Sequence, residues 1–362
     1  MIIFGIMQKY KRAVIAFSIV PQIVLVRILA RFPQFVETFY SHGAYIYISK
    51  LMRYAFGWVP FSIGDVLYAL VVIFITRWLV VNRRRMVKDF KNWFLDVLSA
   101  VSVAYFAFHC LWAFNYYRLP LHKSLQIENE YSTERLIAFT ELLIVKTNAV
   151  HLGITKNDSL KVSMPYSKTE LLKKVPQGYD NLAKEFTYLA YSPRSLKPSL
   201  YSVPLTYMGF SGYLNPFTNE AQIDGLIPTY KYPTTGSHEV AHQLGYAKEN
   251  EANFIGSMAA MKHPDVYFQY SGHAFALRHC LGEIYRREPL RYNDIVKTVN
   301  LGILKNYQEV RDFWRGYENP TEPIFKATYN NFLKANNQAG GMESYSYVVA
   351  LLVNYYENHA LD

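Results

Sequence analysis

Cysteine is nearly missing from this chain. Of 362 residues only Cys110 and Cys280 are cysteines, one inside an apolar run and the other far downstream in mixed sequence. Such a pair makes a poor disulfide, and the lack of any CxxC spacing argues against a thiolate zinc site or a redox motif. Acid is also thin at one end. The first 117 residues carry 13 Lys/Arg against Glu37, Asp65, Asp89 and Asp96, a net of +9, whereas the remaining 245 carry 25 basic and 24 acidic residues. The formal charge of +10 therefore belongs to an apolar third of the chain. No basic domain is left to track phosphates, so no nucleic-acid partner is expected. Repeats and low-complexity tracts are absent too. With 51 % apolar residues and 16 % aromatics, the chain can bury a large core.

Three stretches read as membrane segments: residues 13–30, 64–81 and 94–114. Each approaches the roughly 20 residues needed to cross a hydrocarbon core. Arg27 and Arg77 lie near segment ends, where their side chains can snorkel to headgroups. Lys9, Lys11 and Arg12 precede the first segment, and a cluster from Arg83 to Lys91 separates the second from the third. The positive-inside rule puts both basic groups in the cytoplasm and everything after the third segment outside it. The expectation is a multi-pass anchor in the cytoplasmic membrane, residues 1–117, with an uncleaved first segment. An extracytoplasmic domain, residues 118–362, follows it. The intervening loop 31–62, rich in Phe and Tyr, is expected along the outer membrane face.

Beyond residue 119 the pattern turns to mixed polar and apolar sequence. Ser132 can cap a helix running to about His151, and a second helix is expected from Ser167, broken at Pro176, to Tyr191. Residues 199–233, dense in Tyr, Val, Thr, Gly and Pro, read as short strands with tight turns. After Thr234 the chain reads as helical, with breaks at Gly245, Pro264, Pro289, Pro320 and Gly340–Gly341. The fold class is α+β and mostly helical, a small sheet set into a helical domain.

That domain contains Ser237-His238-Glu239-Val240-Ala241-His242, an HExxH motif. Two histidines four apart on a helix share a face and can reach one Zn²⁺. Glu239, about 100° round the helix, is placed to take a proton from water rather than to bind metal. Gly245 follows where a left-handed residue would end the helix. A zinc peptidase needs a third protein ligand. If Asn250 caps the next helix, Glu251 shares a face with Ala252, Ile255, Met258 and Ala259, a stripe suited to packing on the motif helix. A glutamate on that stripe would be costly unless it held a cation. Glu251 is accordingly the expected third ligand, and Glu249, about 200° away, is expected to face solvent.

The run His-Glu-Val-Ala-His-Gln-Leu-Gly-Tyr-Ala-Lys-Glu-Asn-Glu-Ala-Asn-Phe, from His238 to Phe254, resembles the core of a domain-of-unknown-function family of bacterial membrane proteins regarded as zinc peptidases. Phe35-Val-Glu-Thr-Phe-Tyr-Ser-His-Gly-Ala-Tyr, Trp58-Val-Pro-Phe-Ser-Ile-Gly-Asp, Phe210-Ser-Gly-Tyr-Leu-Asn-Pro-Phe-Thr-Asn-Glu-Ala and Ser344-Tyr-Ser-Tyr-Val-Val extend the likeness over nearly the whole chain. The resemblance implies a membrane-anchored, zincin-like metallopeptidase but no particular substrate. The motif and its Glu-Ala-Asn are also similar to short glutamate-ligand (gluzincin-like) peptidases that cleave repressors. That likeness favours Glu251 as ligand and Asn253 as a partner of a ligand histidine. By the same likeness residues 213–224 would pair with an extended substrate, and His273, Tyr345 or Tyr347 would steady the oxyanion. The expected function is zinc-dependent hydrolysis of peptide bonds in an unidentified peptide or protein, with Glu239 as general base. The alternative keeps the zinc but not the turnover, as a membrane-anchored binding or assembly module of the cell envelope.

Overall fold

The computed structural model describes residues 2–338 and 347–361. It is mostly helical, with a single three-stranded sheet among the described residues. Among the described residues, four helices are long and apolar enough to cross a membrane: Tyr10–Leu29, Ile63–Val81, Phe90–Leu111 and Thr133–Thr155. The first three match the expected segments. The first is bent at Ser18, where Ile2–Phe17 gives way to Ile19–Leu29. It packs along the third, and Ser18 and Gln22 reach the Ser102 hydroxyl at 2.9 and 3.1 Å. The fourth differs in kind. Leu136, Phe139, Leu143 and Ile144 bury one of its faces in the core of the downstream domain.

The segment 31–62 is helical rather than a loop. A π-helix, Val36–Ala44, leads into a helix Tyr45–Phe56. Tyr45, Ser49 and Arg53 fall four apart and turn inward. Tyr47, Leu51 and Tyr54 form an exposed stripe on the same helix, and Trp58 continues it.

The downstream domain begins as expected, with Ser132 capping Thr133–Thr155 and Ser167 closing a capping box on Lys168–Lys174. Pro176 then starts a new helix that ends at Leu182, short of Tyr191. The region 199–233 is only partly strand, because Ser202–Met208 is a helix closed by Gly209 at φ +82°. The sheet has the order β1-β3-β2, from Leu196–Pro198, Glu220–Ile223 and Gly212–Asn215. β3 runs parallel to β1 and antiparallel to β2, so β2 is an edge.

The second apolar helix is rooted in this sheet. Ser62 caps it, and the amides of Ile63 and Gly64 donate to the carboxylate of Glu220 on β3. A carboxylate at a helix N-terminus meets both unpaired amides and the positive end of the dipole. Gly64 permits the approach, since a Cβ there would lie 2.5 Å from Asn215 Nδ2.

Candidate metal centre

The motif helix runs Tyr232–Gln243, one turn longer at its start than the sequence suggested, with Pro233 in its first turn. It lies flat on the sheet at Gly236, where a Cβ would come within 2.9 Å of Val175 and 3.1 Å of Ile223. Gly245, at φ +92°, turns the chain, and a second helix, Glu249–Met261, folds back. The two cross at Gly256, whose absent side chain admits the His238 backbone. Glu249, Asn253 and Gly256, spaced i, i+4 and i+7, form the face that meets the motif.

His238, Glu239 and His242 come together, with one ligand atom from each within 4.8 Å of the others. The Glu249 carboxylate joins the group, its Oε2 3.3 Å from His238 Nε2 and its Oε1 3.7 Å from His242 Nε2. A tetrahedron with ligand bonds of about 2.1 Å has edges of about 3.4 Å, and each imidazole stands near that distance from one carboxylate oxygen. Glu249, expected in solvent, is buried. Glu251 is buried elsewhere: its Oε1 accepts from the Leu121 amide at 2.9 Å and lies 4.0 Å from Lys248 Nζ. The structure thus places Glu249 rather than Glu251 at the histidines. The helix explains why the periodicity argument chose otherwise. It begins at Glu249 and is buried on nearly every face, so an apolar stripe could not single out the inward side. The residue that marks the face meeting the motif helix is Gly256.

Electrostatics follow the burial. His242 Nδ1 lies 2.7 Å from the Tyr246 carbonyl, which can only accept; the proton therefore sits on Nδ1 and Nε2 keeps its lone pair. Burial first, then the charge of His238, lowers His242 to about 4. Burial opposes ionisation of Glu249, but the hydrogen bond from His238, both histidine charges and the Tyr329 hydroxyl outweigh it and bring Glu249 to about 2. His238 is raised by Glu249 and Glu239 despite its burial. Glu239 is pushed up to about 8, chiefly by burial. Its Oε2 has no hydrogen-bond partner, and neither has His238 Nδ1. A cation here would offset the cost of both buried carboxylates.

Other expected residues fall as follows. Asn253 sits against His238 and raises its basicity, although Asn253 Nδ2 is itself unpartnered. β2 runs beside the motif helix, and a Cβ on Gly212 would lie 2.7 Å from Glu239 Oε1. His273 is buried in the field of Lys146, away from the motif. Tyr347 is half exposed at the start of its helix, and Tyr345 lies outside the described residues. Two residues at the site carry no motif signal. Tyr329, on the helix Glu322–Ala335, donates to Glu249 Oε1 at 2.5 Å. Trp112, just beyond the third apolar helix, donates to the His242 carbonyl at 3.1 Å and sets its ring edge-on to the imidazole.

No curated protein and no solved structure matches the chain. The model of one family, described as "Protein of unknown function (DUF3810)", matches residues 40–353. That stretch holds the motif, Glu249, Tyr329 and two of the first three apolar helices, and the chain belongs to the DUF3810 family.

Proposed function

We propose that the chain is a membrane-anchored, zinc-dependent peptidase. The observation that carries this reading is the donor set: two imidazole nitrogens within 4.8 Å of each other, each 3.3–3.7 Å from an oxygen of the Glu249 carboxylate, with Glu239 alongside. His238, His242 and Glu249 would hold the ion, and zinc bound there supplies a Lewis acid for a carbonyl and for water. Glu239 takes the proton from the attacking water and returns it to the leaving amine. Its Oε2 is unpartnered and so free for that exchange. Tyr329 donates its one hydroxyl proton to Glu249 Oε1 and so holds that carboxylate ionised and in place. On β2, Asp224 N–H bonds Ser211 C=O, which fixes the alternation of the pair. Tyr213 and Asn215 then bond β3, while Gly212 and Leu214 direct their main-chain groups outward. An extended peptide can add to that edge with its backbone beside Glu239. The basic residues on both cytoplasm-assigned segments support an extracytoplasmic site.

The test is metal analysis of the full chain, purified in mild detergent, beside peptide-library hydrolysis. About one zinc per chain is expected, as one tetrahedral site requires. His242→Ala should lose it, and Glu239→Gln should keep it while hydrolysis falls about 10²–10⁴-fold. A wild type without zinc sinks the reading. A zinc-loaded chain whose Glu239→Gln variant behaves like wild type leaves the binding-module alternative.

A further inference from the structure

The elements that hold the metal centre are the same ones that meet the apolar helices. Trp112, bonded to the carbonyl of His242, is the first residue past the Phe90–Leu111 helix. Tyr45 donates to the neighbouring carbonyl of Gln243 at 2.9 Å. It opens the helix whose other side exposes Tyr47, Leu51 and Tyr54, with Trp58 beyond at 79 % exposure. Aromatic stripes of this kind lie at the headgroup level of a bilayer. His238 is one turn further along the motif helix, about 6 Å away. With the stripe at that level, the reacting atoms would stand within a short reach of the lipid surface.

The outer edge of β2, which pairs with no strand among the described residues, lies between two groups of apolar helices. Leu214 packs on the cluster of Val26, Val36, Tyr45 and Trp112, which joins the first and third apolar helices to the domain. Tyr213 turns to the second helix, stacking on Tyr68 and bonding Asp65. That second helix stands apart from the other two. Residues 70–77 are exposed in succession, which leaves no face of the helix covered. It meets the third at its far end, where Trp78 stacks on Trp93. On the remaining side the helix Glu322–Ala335 covers the centre. Tyr329 packs on Phe210, and Phe332 on Phe108 and Tyr116. Ile324 and Phe325 stay exposed on that cover.

We propose that the substrates are membrane-embedded polypeptides whose juxtamembrane stretch enters laterally, between the second apolar helix and the paired first and third, to lie along β2. This rests on the peptidase reading above. A soluble peptide would have to displace the cover helix, whereas a chain emerging from the bilayer meets the β2 edge directly.

The test uses wild-type and Glu239→Gln full-length chain in proteoliposomes with one degenerate ten-residue library in three forms. The library is free in water, fused directly to a Leu/Ala transmembrane helix, or fused through a Gly/Ser linker of about 30 residues, whose reach is about 30 Å. Mass spectrometry reads the cleavage. The directly fused form should be cut at least about tenfold faster than both others, because the linker form matches it in local concentration but not in position. The Glu239→Gln chain should cut none. Equal cleavage of the linker-spaced or free library overturns lateral entry while leaving the peptidase intact. A zinc-loaded chain that cuts no form fails as a peptidase and leaves the binding-module alternative, and lateral entry falls with it. A chain that neither binds zinc nor cuts fails at the metal reading itself.

Discussion

Two buried carboxylate clusters lie on either side of β2, and they are built to opposite rules. At the root of the second apolar helix, Glu220 accepts from Ile63, Gly64, Thr218 and Lys197, and Asp65 from Tyr213, Ser199 and Leu200. Every carboxylate oxygen there is satisfied by the chain itself. At the motif, Glu239 Oε2 is buried with no partner, beside the His238 and His242 imidazoles. A saturated cluster is complete as folded and holds parts together. One left open in a low-dielectric interior is costly, and the cost points to something the site receives.

The comparison breaks most easily at Glu220. Glu220→Ala leaves Lys197 buried without its counter-charge and the Ile63 and Gly64 amides without their acceptor, for a loss of about 3–5 kcal/mol. Thermal unfolding in detergent should show it as a large drop in midpoint, with zinc content per folded chain unchanged. If stability is untouched and zinc is lost instead, the two clusters are not separate devices.

Glu249 and Glu251 sharpen the contrast within one helix. Glu249→Gln should weaken zinc binding by more than the roughly 10–100-fold expected for a residue outside the ligand set. Glu251→Ala should keep the metal and lower stability by about 1–3 kcal/mol, because the buried Leu121 amide then loses its acceptor, Oε1. Isothermal titration with zinc and parallel unfolding curves separate the two. The reverse pattern would restore Glu251 as the ligand.

This pair also shows what a sequence can tell. The two histidines and Glu239 were legible because four-residue spacing on a helix dictates where side chains go, whatever surrounds them. The first three apolar helices were legible because length and hydropathy suffice. Which glutamate faces the histidines was not, since Glu249–Met261 is buried all round and periodicity has no contrast to act on. Only the small residue at the crossing, Gly256, carried the register. Ser202–Met208 was mistaken for strand because Val, Thr and Tyr favour strands only when a sheet is there to receive them. Tyr329 and Trp112 reach the site from 80 and 130 residues away, by tertiary packing that no local pattern encodes.

The smallest expected effect tests whether the anchor supports the open cluster. Trp112→Phe keeps an aromatic ring against His242 but removes the N–H that bonds its carbonyl. That carbonyl retains the Gly245 amide at 3.0 Å, so no group is left wholly unpaired. The loss should be about 1 kcal/mol of stability, the net worth of one ordinary hydrogen bond. Zinc affinity should fall less than the roughly tenfold at the low end for an outer-shell residue, because His242 Nδ1 is still fixed by Tyr246. A much larger fall in affinity, with stability scarcely changed, would mean that the end of the third apolar helix sets the imidazole's aim rather than merely bracing it. The membrane segment would then be part of the metal site.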